Sequence, residues 1–255
     1  GKVRLNGANI NIQLVFAGEC EELYLHNAIV NGTLVIKKDK ISKIDLYGLT
    51  YDSILFADSN RSAREPTVEE MVSLINKSYQ YSSWPFVQFA RTLELKGNEV
   101  GARDTLIRME KERTRRGKYS LVMKIIRTLS DCLIAYGYKP FRILFISMLY
   151  VLFISFIVFS FQGSLKPILI NQYTPSLNPL VFSLDTFLPL VDLYQAKYWI
   201  PDLSYQASLT LAEKNYVFSV GSLVQVLQWV TILLGWIFSL IFSAAATGLV
   251  KTKQN

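Results

Sequence analysis

From residue 3 the chain alternates apolar and polar positions in short pieces. Val3-Arg-Leu, Leu23-Tyr-Leu and Ile44-Asp-Leu each open a segment that passes through a small or Asn/Gly position to a second apolar pair. The three segments, residues 3–16, 23–36 and 44–56, recur with a period of 20 or 21. A period-two alternation broken by Gly7, Gly32 and Gly48 predicts short strands joined by tight turns. Recurrence near 20 residues predicts β-solenoid coils over residues 1–58, right-handed β-helix-like, because each coil would bury its apolar row on its neighbour. A small antiparallel β domain is the alternative. The pattern is already running at Val3 behind a first-residue Gly, so the chain is expected to begin inside a longer protein.

Residues 60–118 change to a helical rhythm. A polar break ends in Thr67-Val-Glu-Glu, a helix start with early acidic residues. Ser82-Ser83-Trp84-Pro85 is a second start, a serine cap with proline in the first turn, where its missing N–H costs nothing. Phe86, Phe89, Ala90 and Leu93 share one face, Lys96-Gly-Asn turns the chain, and Ala102, Leu106 and Met109 form the next stripe. This predicts an antiparallel helical hairpin packed through those stripes. Residues 119–140 then form a basic amphipathic juxtamembrane helix: apolar positions 121, 122, 125, 126, 129, 132 and 133 line one face, with Lys124, Arg127 and Asp131 opposite. Such a helix suits the headgroup layer; burial of its apolar face on the hairpin is the competing reading.

The apolar runs come last. Residues 141–162 hold one charge, Arg142 at the start, and residues 226–250 hold none. Each is long enough to cross a hydrocarbon layer of roughly 30 Å at about 1.5 Å per residue. Eleven Lys/Arg lie between residues 103 and 142, two more follow the second run, and residues 163–225 between the runs hold only Lys166, Lys197 and Lys214. The positive-inside rule then predicts both termini in the cytoplasm and 163–225 outside. Within that loop, residues 178–193 are apolar yet too short to cross, which predicts a re-entrant or interfacial segment. Its polar residues, Asp185 and Asp192 with the hydroxyls of Ser183 and Thr186, are the candidate pore or outer-loop positions. With no third partner visible, the aspartates read as caps rather than acid–base catalysts. In the second span Gly235, Ser239, Ser243 and Gly248 are small enough for close helix packing.

Composition agrees with a chain partly outside water: 51% hydrophobic and 18% charged, against about 25% charged for an average soluble domain. The net charge of +7 is concentrated before the first span, where Arg113, Arg115, Arg116, Lys118, Lys124 and Arg127 are expected to face anionic lipid headgroups. Nucleic acid is not expected as a partner. One histidine, His26, and two widely spaced cysteines argue against a histidine metal site or a Ser-His-Asp triad; His26 reads as a solvated strand or turn residue. No nucleotide-binding glycine motif occurs, and no catalytic residue, cofactor or metal is expected.

GANI and HNAI resemble the unit of pentapeptide-repeat β-helices. Beyond them, Trp84-Pro-Phe-Val-Gln-Phe-Ala-Arg-Thr-Leu, Ala102-Arg-Asp-Thr-Leu-Ile, Ala135-Tyr-Gly-Tyr-Lys-Pro-Phe-Arg, Phe182-Ser-Leu-Asp-Thr-Phe-Leu-Pro-Leu-Val-Asp-Leu and Gly235-Trp-Ile are similar to bacterial membrane proteins labelled "membrane-associated oxidoreductase". The resemblance covers most of residues 80–250 and implies an inner-membrane location. It brings no cofactor motif, so the enzyme is not carried over. Three functions follow as expectations. The first is an oligomeric membrane effector or channel-like module coupled to a cytoplasmic sensing or docking domain. The others are a non-conducting anchored scaffold for an unidentified protein partner, and the oxidoreductase of the label. Span, short segment, span is the layout of two-span channels, although no TVGYG-like filter lies between the spans.

Overall fold

Leu5, Leu25 and Leu46 each begin the same turn: Leu5-Asn-Gly-Ala, Leu25-His-Asn-Ala, Leu46-Tyr-Gly-Leu. The fourth residue donates its N–H to the carbonyl of the first in all three. The third residue is left-handed, Gly7 at φ 68°, Asn27 at 54° and Gly48 at 70°, a conformation that glycine and asparagine enter most cheaply. On either side of these turns run β1 (Lys2–Arg4) and β2 (Asn9–Ile10), β4 (Cys20–Tyr24) and β5 (Ile29–Ile36), and β6 (Ile41–Asp45) and β7 (Thr50–Ala57); β3 (Gln13–Phe16) and β8 (Ala63–Arg64) complete the set. The computed structural model describes residues 1–57, 62–78, 80–168, 174–211 and 214–249, with backbone only at 207–211 and 214–218. The chain divides into two units, Gly1–Asp131 and Cys132–Thr252.

The expected β-solenoid does not form. The strands make two separate open sheets. One is β1–β4–β6, all parallel; the other joins β2 and β3 to β5, then β7, and ends in an antiparallel β8. Among the described residues no sheet closes and no coil is completed. Nor is this the antiparallel domain of the alternative reading, because the repeats pair in parallel. The 20- to 21-residue period survives as register, with Val3 opposite Leu23 and Leu23 opposite Ile44. A period of apolar positions reports which residues pair, and closure is a different matter. The links from the second sheet back to the first, residues 17–19 and 37–40, contain no strand, and the latter carries a 3-10 turn at Lys38–Lys40. The fold is therefore mixed α/β, with Leu23, Leu25, Leu34, Ile36, Ile41, Ile44, Leu49 and Ile54 buried between the layers.

Four helices follow: α1 (Val68–Ile75), α2 (Trp84–Leu95), α3 (Glu99–Arg116) and α4 (Leu121–Ile134). Thr67 and Glu70 close a capping box at the start of α1, which satisfies two orphan donors. Arg64 beside it, with the Thr67 N–H and Lys38, holds the Glu70 carboxyl far below the usual carboxylate range. The helices seal strand edges that would otherwise present unpaired carbonyls. Trp84 Nε1 donates to Leu49 O at 2.8 Å, Gln88 Nε2 to Tyr51 O at 2.7 Å, and Lys77 Nζ to Ile41 O at 2.7 Å. At the start of α2 the Ser82 Oγ accepts the Trp84 N–H at 3.2 Å, and Pro85 stands in the first turn.

In the second unit, α5 (Arg142–Ser160) and α7 (Val220–Ala246) are, among the described residues, the two helices long and apolar enough to cross a membrane, by length and composition. Between them in sequence lie α6 (Pro179–Phe187) and two short antiparallel pairs, β9 (Leu165–Pro167) with β10 (Trp199–Pro201) and β11 (Gln206–Leu211) with β12 (Lys214–Ser219). The core joins Ile154, Val158, Leu165, Phe182, Val220 and Val224. The starts of α6 and α7 are capped by Asn178 and Ser219.

Candidate functional site

The segment between the two long helices places all four outer-loop candidates. Asp185 sits on α6 and gathers the chain that follows. Its Oδ1 accepts from Leu193 N at 2.7 Å, and its Oδ2 from Gln195 N at 2.9 Å and Ala196 N at 2.7 Å. Asp192 accepts from Tyr194 N at 3.0 Å and pairs with Lys197. Ser183 and Thr186 are buried and donate back to the Pro179 and Phe182 carbonyls of their own helix. These groups organise a loop: both aspartates act on residues 193–197, and Lys197, paired with Asp192, also lies within electrostatic reach of Asp185.

Where α6 ends is more informative. The Phe187 ring packs on Tyr150 of α5 at 5.8 Å and on Phe238 of α7 at 6.0 Å. A Cβ on Gly235 would lie 1.8 Å from the Phe187 carbonyl oxygen, so only glycine permits this approach. Beside it Tyr150 Oη and Thr231 Oγ1 are 3.0 Å apart. Gly235 thus receives a helix end of its own chain. Ser239 is half-buried, Ser243 is exposed and donates to the Ser239 carbonyl, and Gly248 lies past the helix end at φ 76° as its terminator.

The basic residues divide in a way that the sequence did not separate. Arg127 reaches Glu110 at 2.5 Å and Thr114 at 2.7 Å, with Tyr119 stacked against its guanidinium at 5.0 Å. Glu110 is only 4% exposed in its side chain, so Arg127 faces the protein, as does Asp131 through Lys111 at 3.2 Å. Arg113 lies 3.6 Å from Glu110, and Arg115 and Arg116 pair with Glu112 at 2.7 and 3.3 Å. Lys118 and Lys124 are exposed. Since α4 turns its polar face to α3, its apolar face points outward: Leu121, Val122, Ile125, Ile126 and Leu129 are all more than half exposed.

A second site was not legible in the sequence. In the first unit a cleft of about 470 Å³ opens between the turns of the strand layers and helices α1, α2 and α3, lined by Tyr24, His26, Asp45, Tyr47, Asn76, Tyr81 and Arg116 among others. His26 stacks on Tyr47 with centroids 5.0 Å apart, and its Nδ1 lies 3.4 Å from Asp45 Oδ2. Burial, with the Glu110 carboxylate near, pushes the Tyr81 hydroxyl well above the ordinary tyrosine value; it stays protonated and donates to Met109 O. The signal that could have found this site is the repeat itself, since Leu25-His-Asn and Leu46-Tyr-Gly align His26 with Tyr47.

No family model, no curated protein and no solved structure matches the chain. The functional reading therefore rests on the chain's own geometry.

Proposed function

We propose that the chain is an integral membrane effector of channel-like build: α5 and α7 cross the bilayer, α6 re-enters between them, and the first unit is the cytoplasmic sensing or docking part. One observation carries this reading. α6, too short to span, ends against the middle of both long helices, about 22 Å along α7 from its first residue at 1.5 Å per residue. A short helix held at mid-depth by a glycine contact is the arrangement expected where irregular backbone enters a membrane protein and is covered by neighbouring helices.

The surfaces of the long helices support the same reading. α5 exposes Leu144, Phe145, Met148, Leu149, Leu152, Phe153, Phe156 and Phe159, and α7 exposes Val226, Trp229, Leu233, Trp236 and Leu240. An apolar surface so continuous is not stable facing water, whereas lipid accepts it at no cost. The hydroxyls of Tyr150 and Thr231, between the helices, satisfy each other. Two spans cannot enclose a conducting path, so conduction requires several copies around one axis.

The test is the mass of the purified chain in lipid nanodiscs, joined to an ion-flux measurement on the same preparation in liposomes. A defined oligomer with flux above that of empty liposomes is expected. A monomer or dimer that leaves the vesicles sealed removes the channel reading. An anchored scaffold would then stand in its place, a reading favoured by the engagement of both loop aspartates in loop-holding bonds.

A further inference from the structure

The cleft of the first unit has the size and chemistry of a small-molecule site, and this holds whether or not the second unit conducts. Its volume, about 470 Å³, falls in the range of roughly 300–1,000 Å³ typical of such sites. Its walls are rings. Tyr24, Tyr81, His26 and Tyr47 all line it, and the last two are already stacked, 23° from parallel, with Tyr47 53% exposed. A half-exposed ring fixed by a stacked neighbour is a platform for a further planar ring.

The polar groups decide what that ring must carry. Arg116 is held on two sides: its Nη2 donates to Asn76 Oδ1 at 2.8 Å and its Nε lies 3.3 Å from Glu112. Its Nη1 has no partner among the described residues. A guanidinium so oriented presents its remaining donors to one anionic group without having to be ordered first. Asp45, which also lines the cleft, accepts the Tyr47 N–H at 3.0 Å. With Asp45 and Glu112 both near, a single guanidinium cannot compensate a polyanion. We infer that the cleft binds a planar aromatic molecule bearing one negative charge, its ring on the Tyr47 face and its anionic group on Arg116. That chemistry is shared by aromatic carboxylates and by phosphodiesters of nucleosides.

The experiment is calorimetric titration of the full chain in nanodiscs, corrected with empty nanodiscs, using indole-3-carboxylate in one arm and adenosine 3′,5′-cyclic monophosphate in the other. Saturable binding of at least one probe below millimolar concentration, one site per chain, is expected, and the arm that binds identifies the source of the anion. Arg116→Gln and Tyr47→Leu should each weaken it on the order of tenfold, with thermal melting of both variants checked against the parent. Should a variant fail to fold, Arg116→Lys, which keeps the charge but not the fork, should give an intermediate loss. Absence of saturable binding in both arms, binding unchanged in folded variants, or equal affinity for uncharged indole would each overturn the inference.

Discussion

Asp185 shows what one residue does for the segment that follows it. In the sequence it is an acidic residue in an apolar segment between two spans, which invites a reading at a pore mouth. In the structure its two oxygens accept three backbone N–H groups from residues 193, 195 and 196, the work of a loop staple. Charge-assisted bonds of this kind contribute more than neutral ones. Asp185→Ala should therefore lower the stability of the detergent-solubilised chain by about 2–4 kcal/mol, read by chemical unfolding. Asp192→Ala, whose partner Lys197 is 61% exposed, should change it little. Equal effects would contradict the staple. The sequence suggested that Asp185 caps or orients, but not its partners: the N–H groups it accepts belong to the loop 8 to 11 residues further on, beyond α6. The roles of His26 and Arg127 were not legible, since their partners Tyr47 and Glu110 lie on other turns and helices.

At the scale of elements, α4 is the clearest case of a pattern whose meaning depends on its neighbours. Its amphipathic spacing was plain, but spacing alone cannot say which face meets the protein. The buried Glu110 settles that by drawing in Arg127, because a carboxylate out of water is costly until it is paired. The apolar face is left outside, next in sequence to Arg142 and α5, where a lipid surface would cover it. Cys132 is exposed, whereas Cys20 is buried, so an environment-sensitive fluorophore can be placed on α4 without engineering. Its emission should be blue-shifted in nanodiscs relative to a label at Lys118→Cys in a Cys132→Ser background, and quenched by lipid-borne quenchers. Emission typical of water at both positions would place α4 away from the bilayer. The strands teach a related lesson: the period predicted coils, and it recurs only as the pairing register of sheets that stay open.

For the whole molecule, the proposed topology makes a sidedness prediction. Single cysteines introduced at Lys166 and Lys197, in a background without Cys132, should react with an impermeant maleimide from outside intact cells. Cysteines at Lys40 and Lys96 should react only after lysis. Reaction of all four from outside, or of none, would refute two crossings with the first unit inside. This arrangement follows from charge placement, with eleven Lys/Arg between residues 103 and 142 against three across 163–225.

Local and linear properties could be read directly along the chain. These are the three repeats and their turns, the helix starts, the two apolar runs and the side of them on which positive charge collects. Each depends on residues close together in the chain, through backbone conformation, periodicity or net charge. The tertiary structure alone decided that the repeats form open sheets, that α4 turns its polar face inward, that α6 ends on Gly235, and that His26, Tyr47 and Arg116 share a cleft. All four depend on groups far apart in sequence meeting at distances of a few ångströms. Short-range packing, hydrogen bonding and desolvation act only at such distances, and apart from the repeat that aligns His26 with Tyr47 no pattern along the chain marks them.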